Sequence, residues 1–215
     1  MPSVLIANLW LLLGGAATTV ELSVASATLA ALIGFALAVL QVFGGALLRG
    51  IAEVYVYFVR GVPLLVLLFA MYYMLPYSGI DLPPTLGGIL VIALYFAAFM
   101  SEVFRGAILA VPRAQWDAGR GLGMRSRVLL SLVILPQALR LAAPPFVNTC
   151  VMLIKSTSLV SVIGLLELTL SGRQIVERTL AAFQIFGGVA LIYFVLCYCL
   201  SLYSRHLEKR LAYAH

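Results

Sequence analysis

Charge is scarce in this sequence. Only 10% of its 215 residues are Asp, Glu, Lys or Arg, against about 25% in soluble domains. That excludes an ordinary soluble fold. Reactive side chains are equally few. The three cysteines, Cys150, Cys197 and Cys199, lie inside apolar runs. They have neither ligand spacing nor the even count of a disulfide framework, and read as small core residues. The two histidines, His206 and His215, fall in the C-terminal tail, and no His/Asp/Glu cluster offers a metal site or an intramembrane protease. A phosphate loop of the form G-x-x-x-x-G-K-S/T is missing, because Lys155-Ser156 lacks the glycines whose amides would surround phosphates. No catalytic residue, bound cofactor or metal is therefore expected on this chain. No basic n-region precedes the first apolar segment, which predicts that this segment persists as a span rather than a cleaved signal. Internal repeats and low-complexity linkers are also absent.

What is present is apolar. The chain is 63% hydrophobic, with a mean hydropathy of +1.10. A membrane span needs about 20 apolar residues, and five runs qualify, over residues 13–42, 54–75, 86–110, 141–165 and 186–202. Open sheet edges cannot face lipid, so the runs predict helices. The expected fold is all-α and polytopic, one domain over residues 1–215. The formal charge of +6 does not indicate nucleic acid, since the basic residues fall between apolar spans rather than among aromatics. They indicate orientation instead. Arg49 and Arg60 flank the first connection. Arg113, Arg120, Arg125 and Arg127 crowd the third, and Arg205, Lys209 and Arg210 fill the tail. The positive-inside rule then puts the N-terminus outside and the C-terminus in the cytoplasm. An odd, unrepeated set of spans predicts half of an assembly, completed by a second chain.

Ionisable and polar groups inside the spans are costly and therefore informative. Gly14, Thr18, Glu21, Ala25 and Thr28 share one helical face. That face either lines a solute path or packs against another helix through its small residues. In the fourth span Asn148 and Lys155 nearly align, flanked by Ser156 and Ser158 and preceded by Pro144 and Pro145. Two prolines predict a kink, tolerated where protein or water meets the freed carbonyls. Lys155 either faces the path or snorkels to the surface. Glu102 and Arg105, three residues apart, predict a structural bridge on one helix face.

One stretch breaks the apolar pattern: "QWDAGRGLGMRSRVLLSLVILPQ", residues 115–137. Pro112 suits the start of a short helix and Gly123 its left-handed end. Gly119 and Gly121 each lower helicity by about 1 kcal/mol against Ala. Such a helix is marginal alone and predicts docking on a partner, with Trp116 as the anchor in the partner groove and Asp117 meeting a basic residue there. The competing reading is an amphipathic connector lying on the bilayer.

The same residues carry a resemblance. Asp117-Ala118-Gly119, Gly123, Val133, Leu135 and Pro136 resemble the EAA loop of ABC-importer permeases, over about 112–136. Asp117, Gly119 and Val133 replace the pattern's Glu, Ala and Ile. "TVELSVASATLAALIGFALAV", "RGVPLLVLLFAMYYMLP", "SEVFRGAILAVPRAQWDAG" and "ILPQALRLAAPPFVNTCVMLIKSTSLVSVIGLLEL" look like successive helices of polar amino acid permeases, in order and spacing. The resemblance implies a five-helix, MetI-like permease of the bacterial inner membrane, paired with itself or a paralogue. It implies two cytoplasmic ATPase subunits that carry ATP and Mg, an extracytoplasmic solute-binding protein, and import by alternating access. Coupling to the ATPase would fall to Trp116, Asp117, Ala118, Gly119, Gly123, Leu135 and Pro136. The solute path is expected at Glu21, Asn148, Lys155, Ser156 and Ser158, and the solute is expected to be a polar amino acid or a similar zwitterion such as an opine. Relatives often carry polar groups where Val62 and Leu67 stand, and Asp where Ser156 stands, which leaves this chain less suited to a cationic solute. The alternative is an ion-gradient-driven transporter or channel subunit.

Overall fold

The computed structural model describes residues 3–212, and among them every regular element is helical. A short α1 (Ser3–Ala7) leads into α2 (Leu9–Phe43), then α3 (Ala46–Gly61) and α4 (Leu64–Phe69). After a π turn at Ala70–Met74 and a 3-10 turn at Leu75–Ser78 comes α5 (Pro84–Ala110). The polar stretch holds most of α6 (Arg113–Gly121) and all of α7 (Ser126–Leu129). A π turn at Leu130–Ile134 joins α7 to α8 (Leu135–Ser156), which ends in a 3-10 segment, Thr157–Ile163. The chain closes with α9 (Leu168–Thr179) and α10 (Ala182–Ala212). Four helical stretches are long and apolar enough to cross a membrane, Leu9–Phe43, Pro84–Ala110, Ser126–Ile163 and Ala182–Leu207. The bent pair Ala46–Gly61 and Leu64–Ser78 makes a fifth if counted as one span.

Two sequence expectations need correction. The second run is not one helix over 54–75, because the pair bends by 101°. Pro63 offers no donor and forces the residue before it out of the helical region. Val62 accordingly sits at φ −106, ψ 132. The fourth span begins not near 141 but at Ser126. Its π turn places the Leu135 N–H on the Leu130 carbonyl, a register that accommodates Pro136, which has no N–H to offer. Pro144 and Pro145 do not interrupt α8, which runs through both. Their missing donors leave the Arg140 and Leu141 carbonyls without helical partners, and helical turns continue on both sides of the pair.

The core forms where α2 crosses α5. Ser26, Ala30, Gly34 and Ala38 recur every four residues on the buried face of α2. Against them lie Ala93, Ala97 and Ser101 of α5, also buried. Small residues let two backbones approach, which drives helix association where lipid removes the hydrophobic effect. At Gly34 a Cβ would stand 2.9 Å from the Ala97 carbonyl oxygen. The Ser26 hydroxyl donates to the Ile89 carbonyl across this contact, at 3.4 Å. Edge-on rings, Phe35 against Phe104 at 5.6 Å, complete the seam.

Candidate functional site: a seated helix and an intramembrane polar line

α6 follows directly from α5 through Val111 and Pro112, on the end of the bundle where α2 terminates. Pro112 is the residue before the helix rather than in its first turn. The far end is a Schellman cap. The Gly123 N–H donates to the Arg120 carbonyl at 2.9 Å and the Met124 N–H to the Gly119 carbonyl at 3.0 Å. Gly123 stands at φ +70, a conformation glycine adopts without a Cβ penalty.

The helix has two faces with opposite roles. Trp116 packs on Phe43 at the end of α2, rings 6.2 Å apart, and joins the cluster of Ile108, Val111, Leu129 and Ile134. Gly119 is buried against the end of Leu129, with Cδ2 3.1 Å from where a Cβ would be. Both residues were expected to face a partner. They instead seat α6 on its own bundle. The opposite face carries Ala114, Asp117, Ala118 and Gly121, all exposed. Among the described residues Asp117 pairs only with Arg120, at 3.9 Å with both side chains open to solvent, a pair of little energetic weight. Leu122, 82% exposed at the tip, was not singled out in the sequence, though an isolated leucine between two glycines is a signal. Of the remaining loop residues, Leu135 is half-buried and Pro136 exposed, while Ile134 at the end of the π turn is buried.

Inside the membrane region, Asn148 and Lys155 are exposed on α8. Ser204 of α10 donates to the Pro144 carbonyl at 3.3 Å and lies 3.5 Å from Asn148 Oδ1, which places Asn148 on the α8–α10 side. Lys155 has no ion pair among the described residues. Ser156 donates to the Met152 carbonyl at 3.0 Å and Ser158 to the Lys155 carbonyl at 2.8 Å. Their oxygens retain acceptor capacity. Ser158 lies in the 3-10 segment, whose three-residue turn aligns it with Ser161, the Ser161 hydroxyl donating to the Ser158 carbonyl at 2.7 Å. Glu21 is exposed on α2 and makes no hydrogen bond or ion pair among the described residues, so the structure does not bring it to Lys155.

Glu102 and Arg105 form a bidentate pair, Nε to Oε1 at 3.0 Å and Nη2 to Oε2 at 2.8 Å. Arg60 of α3 approaches Glu102 at 3.9 Å and lies 5.4 Å from the Phe99 ring centre. The group therefore ties α3 to α5.

A second polar network went unrecognised. Glu167 is fully buried. Its carboxylate caps α9, accepting from the Thr169 N–H at 2.8 Å and the Leu170 N–H at 2.9 Å. The Tyr193 hydroxyl of α10 donates to it at 2.8 Å. The Leu168 N–H reaches the Thr19 hydroxyl of α2 at 3.2 Å. Burial pushes the Glu167 carboxyl above the usual carboxylate range, against the pull of the two backbone donors and the tyrosine.

Comparison with known proteins gives this geometry a family. A profile of the "Binding-protein-dependent transport system inner membrane component" family matches residues 30–213. The chain is 37% identical over 202 residues to the L-cystine transport system permease protein TcyB of Bacillus subtilis, covering 94% of this chain and 86% of that one. It is 33% identical over 203 residues to the glutamine transport system permease protein GlnP of Escherichia coli, covering 94% and 93%. The fold superposes on a crystal structure of an amino acid ABC transporter with histidines, with TM-score 0.91, 30% identity and 96% coverage of both chains. It also matches the fold of the MetNI methionine ABC transporter at TM-score 0.81 and 20% identity, over 94% of this chain and 96% of that one. These matches favour the ABC importer over the ion-gradient alternative. With a multi-pass helical bundle, an intramembrane polar line and a capped helix on one end, the chain belongs to the inner membrane components of binding-protein-dependent transport systems, the permease subunits of ABC importers.

Proposed function

We propose that this permease imports a polar amino acid or a similar zwitterion, with α6 as its coupling helix. The observation that carries the reading is the division of α6: Trp116 and Gly119 are committed to the bundle, while Ala114, Asp117, Ala118, Gly121 and Leu122 are left free. A free face of small residues around one acid and one leucine suits a groove on another protein. The bundle end that carries α6 faces the cytoplasm of the bacterial cell, where the arginines of the connection place it, and the N-terminus lies outside. Two ATPase subunits bind there and carry the ATP and Mg. A binding protein delivers solute on the opposite side.

Relatives named for L-cystine and glutamine support the solute class. The path lies between two permease chains, identical or paralogous. Glu21, Asn148 and Lys155 are all exposed on a single chain, and unpaired charge facing lipid is costly. A second chain covers them and completes the path, where Lys155 meets a solute carboxylate and Ser156 and Ser158 supply acceptors.

Ala118→Arg tests the coupling role in the complete importer. Ala118 is exposed, so the substitution leaves insertion and pairing of the permease intact. Co-purification of the ATPase should fall about tenfold or more, since a buried unpaired charge at an interface costs more than about 1.4 kcal/mol. Normal co-purification with normal ATP-dependent uptake would remove α6 from the docking role.

A further inference from the structure

Beside the α6 end of the bundle, a cavity of about 440 Å³ opens between α2, α3 and α5. Its walls are unlike the rest of the surface. Arg49, Arg60 and Arg105 line it together with Glu53 and Glu102. Arg105 is spent on Glu102 by the bidentate pair. Arg60 is 3.9 Å from the same carboxylate. Arg49 and Glu53, one turn apart on α3, form no ion pair among the described residues. The five charges leave an excess of one positive charge. Gln41 of α2 also lines the cavity; it is only 7% exposed, and its Oε1 is buried without a hydrogen-bond partner. That oxygen is closed to a water-sized group, so the cavity meets only the rest of the Gln41 side chain. The rim is apolar: Tyr57 and Leu109 line the mouth with most of their surface open, and Val54 and Phe58 stand exposed on α3.

We propose that this cavity binds an anionic phospholipid headgroup, a phosphodiester that carries a free hydroxyl. Arg49 and Arg60 hold the phosphate, as guanidinium groups suit its oxygens. Glu53 accepts from the headgroup hydroxyl and disfavours headgroups that present bare negative charge. The acyl chains leave over Leu109, Tyr57 and the apolar face of α3. A soluble anion would satisfy the arginines alone, whereas the lipid also explains the apolar rim. The bound lipid would tie α2, α3 and α5 together beside the coupling helix, and so make assembly sensitive to the membrane's anionic lipid.

The test uses the complete importer in nanodiscs of phosphatidylcholine with increasing phosphatidylglycerol. Native mass spectrometry counts retained lipid, and thermal unfolding reads its stabilisation. Phosphatidylglycerol is expected to be retained at one per permease chain. Arg49→Gln should weaken retention about tenfold, one lost charge-assisted contact, and Arg60→Gln should weaken it comparably. Arg205→Gln, an exposed basic residue elsewhere, should leave retention unchanged. Inorganic phosphate and glycerol 3-phosphate should neither compete nor stabilise. The proposal is overturned if Arg49→Gln and Arg60→Gln both retain lipid as the parent does, or if Arg205→Gln weakens it equally. Stabilisation by the soluble phosphates without any by the lipid would equally overturn it.

Discussion

Replacing Gly119 by alanine places one methyl group against the side chain that seats the coupling helix. The new Cβ would collide with Leu129 Cδ1, with Cδ2 at 3.1 Å and Cγ at 3.2 Å. A leucine tip can swing aside on an open surface. Leu129 is 2% exposed and packed among Ile108, Val111, Ile134 and Ala138, so it has nowhere to go. Overpacking of this kind costs about 1–3 kcal/mol. Alanine also returns about 1 kcal/mol of helix propensity, which leaves a net loss of roughly 0–2 kcal/mol, relieved in part by α6 lifting from its seat. A double-mutant cycle isolates the contact. Leu129→Ala alone empties a buried site at a cost of about 2–5 kcal/mol. In the double variant the alanine methyl occupies part of that space, so the two effects should be sub-additive by about 0.5–3 kcal/mol. Thermal unfolding of the complete importer in nanodiscs measures the cycle, and ATPase co-purification reports whether α6 has shifted. The single Gly119→Ala variant should weaken ATPase binding, and the double variant should regain it. Strict additivity, with ATPase binding unmoved by Gly119→Ala, would refute the seat.

Three further substitutions probe the remaining structure. Gly34→Val drives a branched side chain into the Ala97 carbonyl and the Met100 Cβ, both 2.9 Å from the first added atom; backbone cannot yield cheaply, so folded protein in the membrane should fall severely, as followed by fluorescence-detected size exclusion. Lys155→Ala should cut solute uptake while ATPase association survives, and unchanged uptake kinetics would return Lys155 to a snorkelling role. For Glu167, burial holds the folded carboxyl above its unfolded value, so the protonated form favours folding. Its contribution is complete below the unfolded value and is lost as pH rises through the folded one. The unfolding midpoint should therefore decline across that window, and Glu167→Gln, which keeps a capping oxygen, should flatten the decline; an unaltered pH profile would show that Glu167 does not titrate there.

The coupling stretch could be read because its signals are local. Pro112 before α6 and Gly123 after it act on their own backbone, and the structure puts the helix between them. What stayed hidden was which face of that helix meets what. Periodicity separates Trp116 and Gly119 from Asp117 and Ala118, but the partners Phe43 and Leu129 come from distant helices, and only the tertiary fold supplies them. The same limit applies to Glu167. One glutamate beside an apolar run carries no local sign of burial, and its burial depends on Thr19 and Tyr193, which lie far away in sequence. The break at Gly61–Val62–Pro63 is a different case. Its signal was local and strong, but a hydropathy run averages over a bend, since bending leaves composition untouched. Small-residue faces stayed ambiguous for a third reason. Two such faces coexist on α2, and the one that carries the core, Ser26–Ala30–Gly34–Ala38, differs from the Gly14–Thr28 face chosen for its glutamate.

The seat of α6 and the polar line belong to one mechanical element. From Ser126 to Ile163 the chain is a continuous 38-residue helical stretch, roughly 55 Å long at the α-helical rise. Its first turn holds Leu129, on which Gly119 rests, and its far part holds Asn148, Lys155, Ser156 and Ser158. A close-packed contact resists compression, so displacement of α6 by an ATPase in the proposed mechanism must move the start of this stretch. The second contact, Trp116 on Phe43, moves the end of α2 at the same time. α2 carries Glu21, and α8 carries Lys155, so the two helices that receive the push are the two that present charge to the proposed path. A bend confined to the π turn at Leu130–Ile134 would absorb the motion before it reached Lys155. Cross-links that lock Leu129 to Gly119 should therefore leave coupling intact, whereas glycines placed through 130–134 should uncouple ATP hydrolysis from uptake.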